Sequence, residues 1–137
     1  MEMLPATATV FATLAAWSVV LLVAHILLQG FFATRELGSA WNAGPRDEGR
    51  KPEGVLAGRA GRASANLRET YPAFPALCLA LAVTGDPSGW GLIGAYVWFA
   101  ARIIYLPLYL AGIPYIRSLV WLGSLAGLAA MFLSVVL

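Results

Sequence analysis

Charge is scarce in this chain: Asp, Glu, Lys and Arg make up 12% of the residues, against about 25% in a soluble domain. Apolar residues make up 60% and the mean hydropathy is +0.76. So little polar surface cannot coat a water-soluble core, which points to lipid as the solvent. Cysteine occurs once. Cys78 alone excludes an internal disulfide, a Cys-x-x-Cys redox pair and a thiolate zinc site. Within Leu77-Cys78-Leu79 it is expected to behave as a small buried apolar side chain. The single histidine, His25, has no second ligand at metal spacing, so no metal site is expected. A basic n-region is missing as well: Glu2 is the only charge before the first apolar run. That run is therefore not expected to be a cleavable signal peptide. The net charge of +2 is small and mixed, and gives no footing for nucleic acid.

Long uncharged runs fill the rest. Met3 to Thr34 gives 32 residues, Thr70 to Gly85 gives 16, and Ser118 to Leu137 gives 20. Pro87 to Ile116 gives 30, with Arg102 as its only charge. A helix needs about 20 apolar residues to cross the hydrocarbon core. The expectation is an all-α membrane protein, a four-transmembrane-helix bundle in one domain over 1–137. Its spans fall at approximately 6–33, 62–84, 88–112 and 116–137.

Seven of the nine basic residues lie between the first two uncharged runs. Cytoplasmic loops concentrate Lys and Arg, so the loop 34–58 is placed in the cytoplasm and both termini outside. Arg117, at the start of the fourth span, returns to the inside. The stretch Gly38 to Gly61 is rich in Gly and lacks apolar periodicity, as a flexible loop does. Eight arginines against one lysine point to a GC-rich bacterial gene, hence a bacterial inner membrane.

The second run is too short. Its 16 residues cover only ~24 Å of a core ~30 Å thick. The helix must therefore continue through Glu69, Asn66 and Arg62, past Pro72 and Pro75, which are placed to kink it. Arg59, Arg62, Asn66 and Glu69 then share one stripe about 80° wide, and Arg102, Tyr105 and Tyr109 share another on the third span. Glu69 lies 17 residues before Asp86 and Arg102 lies 16 after it, so both are expected ~25 Å below the outer turn. Asn66 is matched in depth with Tyr105, and Arg62 with Tyr109. Ionisable residues in a span usually face the protein interior and mark function. A plain Glu69–Arg102 ion pair stapling two helices would not explain the amide and phenols. The set suits a small zwitterion with several carboxylates, since arginine binds carboxylates bidentately and Glu69 can receive an ammonium.

Weaker features have structural explanations. Ser18, His25 and Gln29 share a stripe on the first span, the pattern of inter-helix hydrogen bonding. Gly123-x-x-x-Gly127 suits close helix packing, and Trp41 and Trp90 suit the membrane interface.

The run Arg59-Ala-Gly-Arg62-Ala-Ser-Ala-Asn66-Leu-Arg-Glu69-Thr-Tyr-Pro72 resembles the signature of the MAPEG family, the membrane-associated proteins of eicosanoid and glutathione metabolism. Arg62, Asn66, Glu69 and Pro72 match its Arg-x-x-x-Asn-x-x-Glu-x-x-Pro pattern. Arg102, Tyr105 and Tyr109 match its third-helix pattern, and Arg117 resembles the arginine that opens its fourth helix. Two departures stand out: Ala65 replaces a second arginine found in prostaglandin-type members, and the cytoplasmic loop is longer and richer in Gly than in the leukotriene enzyme. The resemblance implies a homotrimer binding glutathione between subunits near the cytoplasmic face. It assigns Arg62, Asn66, Glu69, Arg102, Tyr105 and Tyr109 to glutathione, Arg117 to the thiol as the catalytic residue, and Arg35 to a contribution from the neighbouring subunit.

The expected function is a glutathione-dependent transferase or peroxidase, with glutathione as co-substrate and an apolar electrophile or lipid drawn from the bilayer. A free thiol with a pKa of about 8.5 is only slightly ionised at neutral pH, and a nearby cation lowers that pKa. The rival is a non-catalytic lipid-binding or scaffold protein of the same fold. A small drug exporter fits four helices but would need a membrane-embedded acid on the first span, which is absent.

Overall fold

The computed structural model describes residues 5–137, so Glu2 and the start of the first apolar run lie outside the described residues. Among the described residues the chain is all helix: α1 Ala6–Leu37, α2 Ser39–Ala43, α3 Val55–Thr70, α4 Ala73–Thr84, α5 Trp90–Ala111 and α6 Ile116–Val136. Three of these, α1, α5 and α6, are long and apolar enough to cross a membrane. Helices α3 and α4, of 16 and 12 residues, are each too short.

These two replace one continuous helix over the expected second span. Pro72 and Pro75 have no N–H to donate. At the junction the Phe74 N–H bonds the Tyr71 carbonyl at 3.0 Å, an i→i+3 turn tighter than an α-helix. Such a turn changes both rise and rotation, so residues on the two sides no longer follow one continuous count.

The helices pack as an antiparallel bundle. Helix α1 runs beside α3 and α4, α5 packs broadly on α6, and α3 also meets α5. The core gathers Phe11, Leu14, Leu67, Phe74, Cys78, Leu81, Trp98 and Met131. Phe74 and Trp98 stack with centroids 3.9 Å apart. Cys78 is fully buried among them, as an apolar residue would be. Ser18 on α1 bonds the Tyr71 hydroxyl at 3.1 Å, one instance of the inter-helix bonding expected of its stripe. His25, further along that stripe, is buried with neither ring nitrogen bonded to protein.

Helices α5 and α6 approach backbone to backbone. A Cβ added to Gly94 would lie 2.5 Å from the Gly127 carbonyl oxygen, and one added to Gly127 would lie 2.6 Å from that of Gly94. The tight packing expected of Gly123 and Gly127 therefore belongs to Gly127 with Gly94. Gly123 faces open space.

The segment between α1 and α3 is more ordered than its composition suggests. Helix α1 runs to Leu37, α2 adds a short turn, and α3 begins at Val55, so a flexible loop over the whole of 38–61 is not what forms. The Glu36 carboxylate accepts hydrogen bonds from the backbone N–H groups of Glu53 and Gly54, at 2.7 and 2.8 Å. It thereby gives the start of α3 acceptors that its glycine cap lacks, and its charge suits a helix N-terminus. Arg46 sits 4.2 Å over the Trp41 ring and donates to Asn42.

Candidate functional site

Spacing by three and four residues puts Arg102, Tyr105 and Tyr109 on one face of α5. Arg102 is fully buried there and Tyr105 nearly so. Burying a cation is costly unless hydrogen-bond partners are supplied. Arg102 donates through Nη1 to the Asn66 side-chain oxygen at 2.9 Å, and its guanidinium lies 4.5 Å from the Tyr105 ring centroid. The ring face supplies negative electrostatic potential to the cation. Nε and Nη2 of Arg102 have no protein partner.

The network continues along the face. Tyr105 meets Tyr109 edge to face, centroids 5.5 Å apart. Beyond them Arg117, in the first turn of α6, lies 4.4 Å over the Tyr109 ring. Asn66, Tyr105, Tyr109 and Arg117 line a recess of about 290 Å³, together with Ser118 and Trp121. One cation thus stands in the wall and a second behind it, with phenols and an amide between. That lining can orient an anionic ligand and stabilise a developing negative charge.

A larger apolar groove of about 590 Å³ lies at the other end of the bundle, lined by Pro87, Trp90, Leu133 and Leu137 among others. It has no charged side chain and cannot orient a zwitterion.

The expected pairing by depth is shifted. Arg102 bonds Asn66 rather than pairing with Glu69, which stands exposed on the protomer surface. The tight turn at Tyr71 is the physical reason: counting back from Asp86 assumes an unbroken helix, and the break moves α3 relative to α5. Arg62 is also exposed, its guanidinium lying 3.1 Å from where a Gly58 Cβ would stand. Arg35 is exposed near the end of α1 and borders surface grooves on either side of that helix. Four of the eight residues singled out from sequence therefore line one recess, Arg102 backs it, and Arg62, Glu69 and Arg35 lie on the outside.

Sequence reasoning missed Ser118 and Trp121. The available signal was their place on α6, next to Arg117 and one helical turn beyond it. Arg59, on the polar stripe and without an expected role, donates to the Leu110 carbonyl at 3.0 Å.

No curated protein and no solved structure matches the chain. A family model does, that of the MAPEG family, over residues 14–137. With its three apolar helices and a match over nearly its whole length, the chain is an integral membrane protein that belongs to the MAPEG family.

Proposed function

We propose that this protein is a glutathione-dependent membrane transferase or peroxidase, working as a homotrimer on apolar electrophiles dissolved in the bilayer. The observation that carries the reading is Arg117, held over Tyr109 at the wall of the recess shared with Asn66 and Tyr105. Glutathione enters from the cytoplasm and its thiol is directed toward Arg117. The guanidinium favours the thiolate by direct attraction, and the thiol proton passes to water. As a peroxidase, the thiolate attacks a hydroperoxide oxygen, the O–O bond breaks to release an alcohol, and a second glutathione turns the sulfenic acid into disulfide and water. As a transferase it attacks carbon, a carbon–sulfur bond forms, and the broken bond's electrons leave with the departing group. Where that group is an epoxide oxygen, it takes a proton from water.

Size and exposure support a shared site. The recess of about 290 Å³ lies at the lower edge of the ~300–1,000 Å³ usual for small-molecule sites. Arg62, Glu69 and Arg35 remain exposed, although charges in a membrane protein ordinarily face protein or water. A neighbouring protomer brings these groups to the same ligand. On this reading α3 and α4 together make the fourth crossing, the loop between α1 and α3 lies in the cytoplasm, and both termini lie outside.

The deciding experiment adds glutathione to the detergent-solubilised protein and follows thiolate absorbance in the ultraviolet. A stoichiometric thiolate signal is expected, with mass measurement in mild detergent giving a trimer. Glutathione binding with no thiolate would sink the enzyme reading in favour of a non-catalytic binding protein. Monomer across gentle detergents would sink the shared site.

A further inference from the structure

Helix α5 ends at Ala111, and its last carbonyls need partners from outside the helix. Two are met by its own continuation: the Gly112 N–H bonds the Tyr109 carbonyl at 3.0 Å and the Ile113 N–H bonds the Leu108 carbonyl at 3.1 Å. Gly112 has φ +73°, the left-handed conformation this kind of helix ending requires. A third carbonyl, Leu110, is met from a different helix by Arg59 Nη1. The Arg59 guanidinium also packs so closely on Gly112 that any Cβ there would overlap it. A cation at a helix C-terminus is favoured by the helix dipole as well.

Four residues separate Gly112 from Arg117. Within them Tyr115 holds φ +42° without being glycine, and its side chain is 83% exposed. Packing of that side chain therefore does not hold the turn in this costly conformation; the two ends do. The α6 end is Arg117 itself, stacked on Tyr109. The α5 end is the ending gripped by Arg59.

We propose that Arg59 is a positioning residue for Arg117, clamping the end of α5 and the turn after it so that the Arg117 guanidinium stays over Tyr109. Arg59 is not among the residues lining the recess and acts through the turn. The inference rests on the reading of Arg117 as the group that stabilises the glutathione thiolate. Displacing such a group by about 1 Å is enough to cost up to a hundredfold in rate.

The test replaces Arg59 by Met, which keeps an unbranched stem and removes the donor and charge. Amide hydrogen exchange at Gly112 and Ile113 should accelerate. Thiolate formation and kcat with chlorodinitrobenzene should fall about tenfold, while glutathione affinity changes by less than about threefold. Gly112→Ala attacks the clamp from its other side and should give the same split. The double variant should be no worse than the worse single one, because both remove one interaction. Unchanged exchange at Gly112 and Ile113 overturns the clamp, whatever happens to turnover. Equal losses in affinity and kcat overturn it too, since Arg59 would then be touching glutathione. If R59M does not fold, Gly112→Ala decides alone, and an intact thiolate signal in that variant refutes the proposal. Arg117→Ala in parallel keeps the two ideas apart. A normal thiolate in R117A removes the role given to Arg117, whereas a lost one in R117A beside a normal one in R59M removes only the clamp.

Discussion

Two groups of ionisable residues lie within a few turns of each other on α3 and α5, and the protomer treats them in opposite ways. On the inner face Arg102 is fully covered, bonded to Asn66 and stacked on Tyr105. On the outer face Arg62 and Glu69 are exposed, in line with the exposed Ala65, Pro72, Ala76 and Leu79. A buried cation without partners is costly, and inside one chain the inner group is met through Nη1 and the Tyr105 ring, with Nε and Nη2 left without a protein partner. The outer stripe mixes charge with apolar side chains, a combination suited neither to lipid nor to water. On the proposed reading its partners are a neighbouring protomer and the ligand, whereas the inner network belongs to the fold.

The contrast breaks most visibly at Arg102. Arg102→Met leaves the half-buried Asn66 oxygen without its donor, and losing a charge-assisted hydrogen bond costs about 1.5–3 kcal/mol. We expect a lower melting temperature in detergent together with loss of glutathione binding. Arg62→Ala and Glu69→Gln should affect binding without the loss of stability. Losing a charge-assisted contact to the tripeptide weakens binding roughly ten- to a hundredfold, while thermal stability without glutathione hardly changes. If Glu69→Gln lowered the melting temperature as far as Arg102→Met does, the division into two regions would be wrong.

Arg117→Ala sharpens the comparison inside the recess. On the proposed reading its cation lowers the pKa of bound glutathione, so its removal lets that pKa rise toward the free value of about 8.5. Thiolate and turnover should therefore fall most at neutral pH and recover as pH climbs past that value, with affinity little changed. A pH-independent loss would mean that Arg117 does something other than stabilise sulfur. Glu36→Gln should have the smallest effect. A neutral acceptor at the start of α3 weakens the tie to Glu53 and Gly54 by about 1 kcal/mol. Limited proteolysis between Gly44 and Pro52 should quicken while glutathione binding stays as it was.

Much of this was legible in the sequence because it depends on run length and helical period. The long apolar runs became α1, α5 and α6, and Arg102, Tyr105 and Tyr109 share a face as their spacing requires. What was not legible depends on where one helix stops. Pro72 and Pro75 announce a kink, yet the rotation introduced by the turn at Tyr71 cannot be counted from residue numbers, and it gives Arg102 to Asn66 rather than to Glu69. Trp121 reaches the recess only because α6 starts at Ile116, a boundary set by the turn after Gly112. Likewise the tie from Glu36 to Gly54 joins residues far apart in sequence, and composition alone made that region a flexible loop.

The close approach of Gly94 and Gly127 has a bearing on traffic within the membrane. With each glycine's added Cβ clashing against the other's carbonyl oxygen, no gap remains at that level for a hydrocarbon chain to slip between α5 and α6. The seam is closed near the Asp86 end of the bundle, and Tyr109 lies fifteen residues further along α5, or ~22 Å away. On the proposed reading, a lipid-dissolved electrophile can enter the apolar groove beside Trp90 and Leu133 but cannot pass the Gly94–Gly127 seam toward the recess. It reaches Arg117 only from the other end of the bundle.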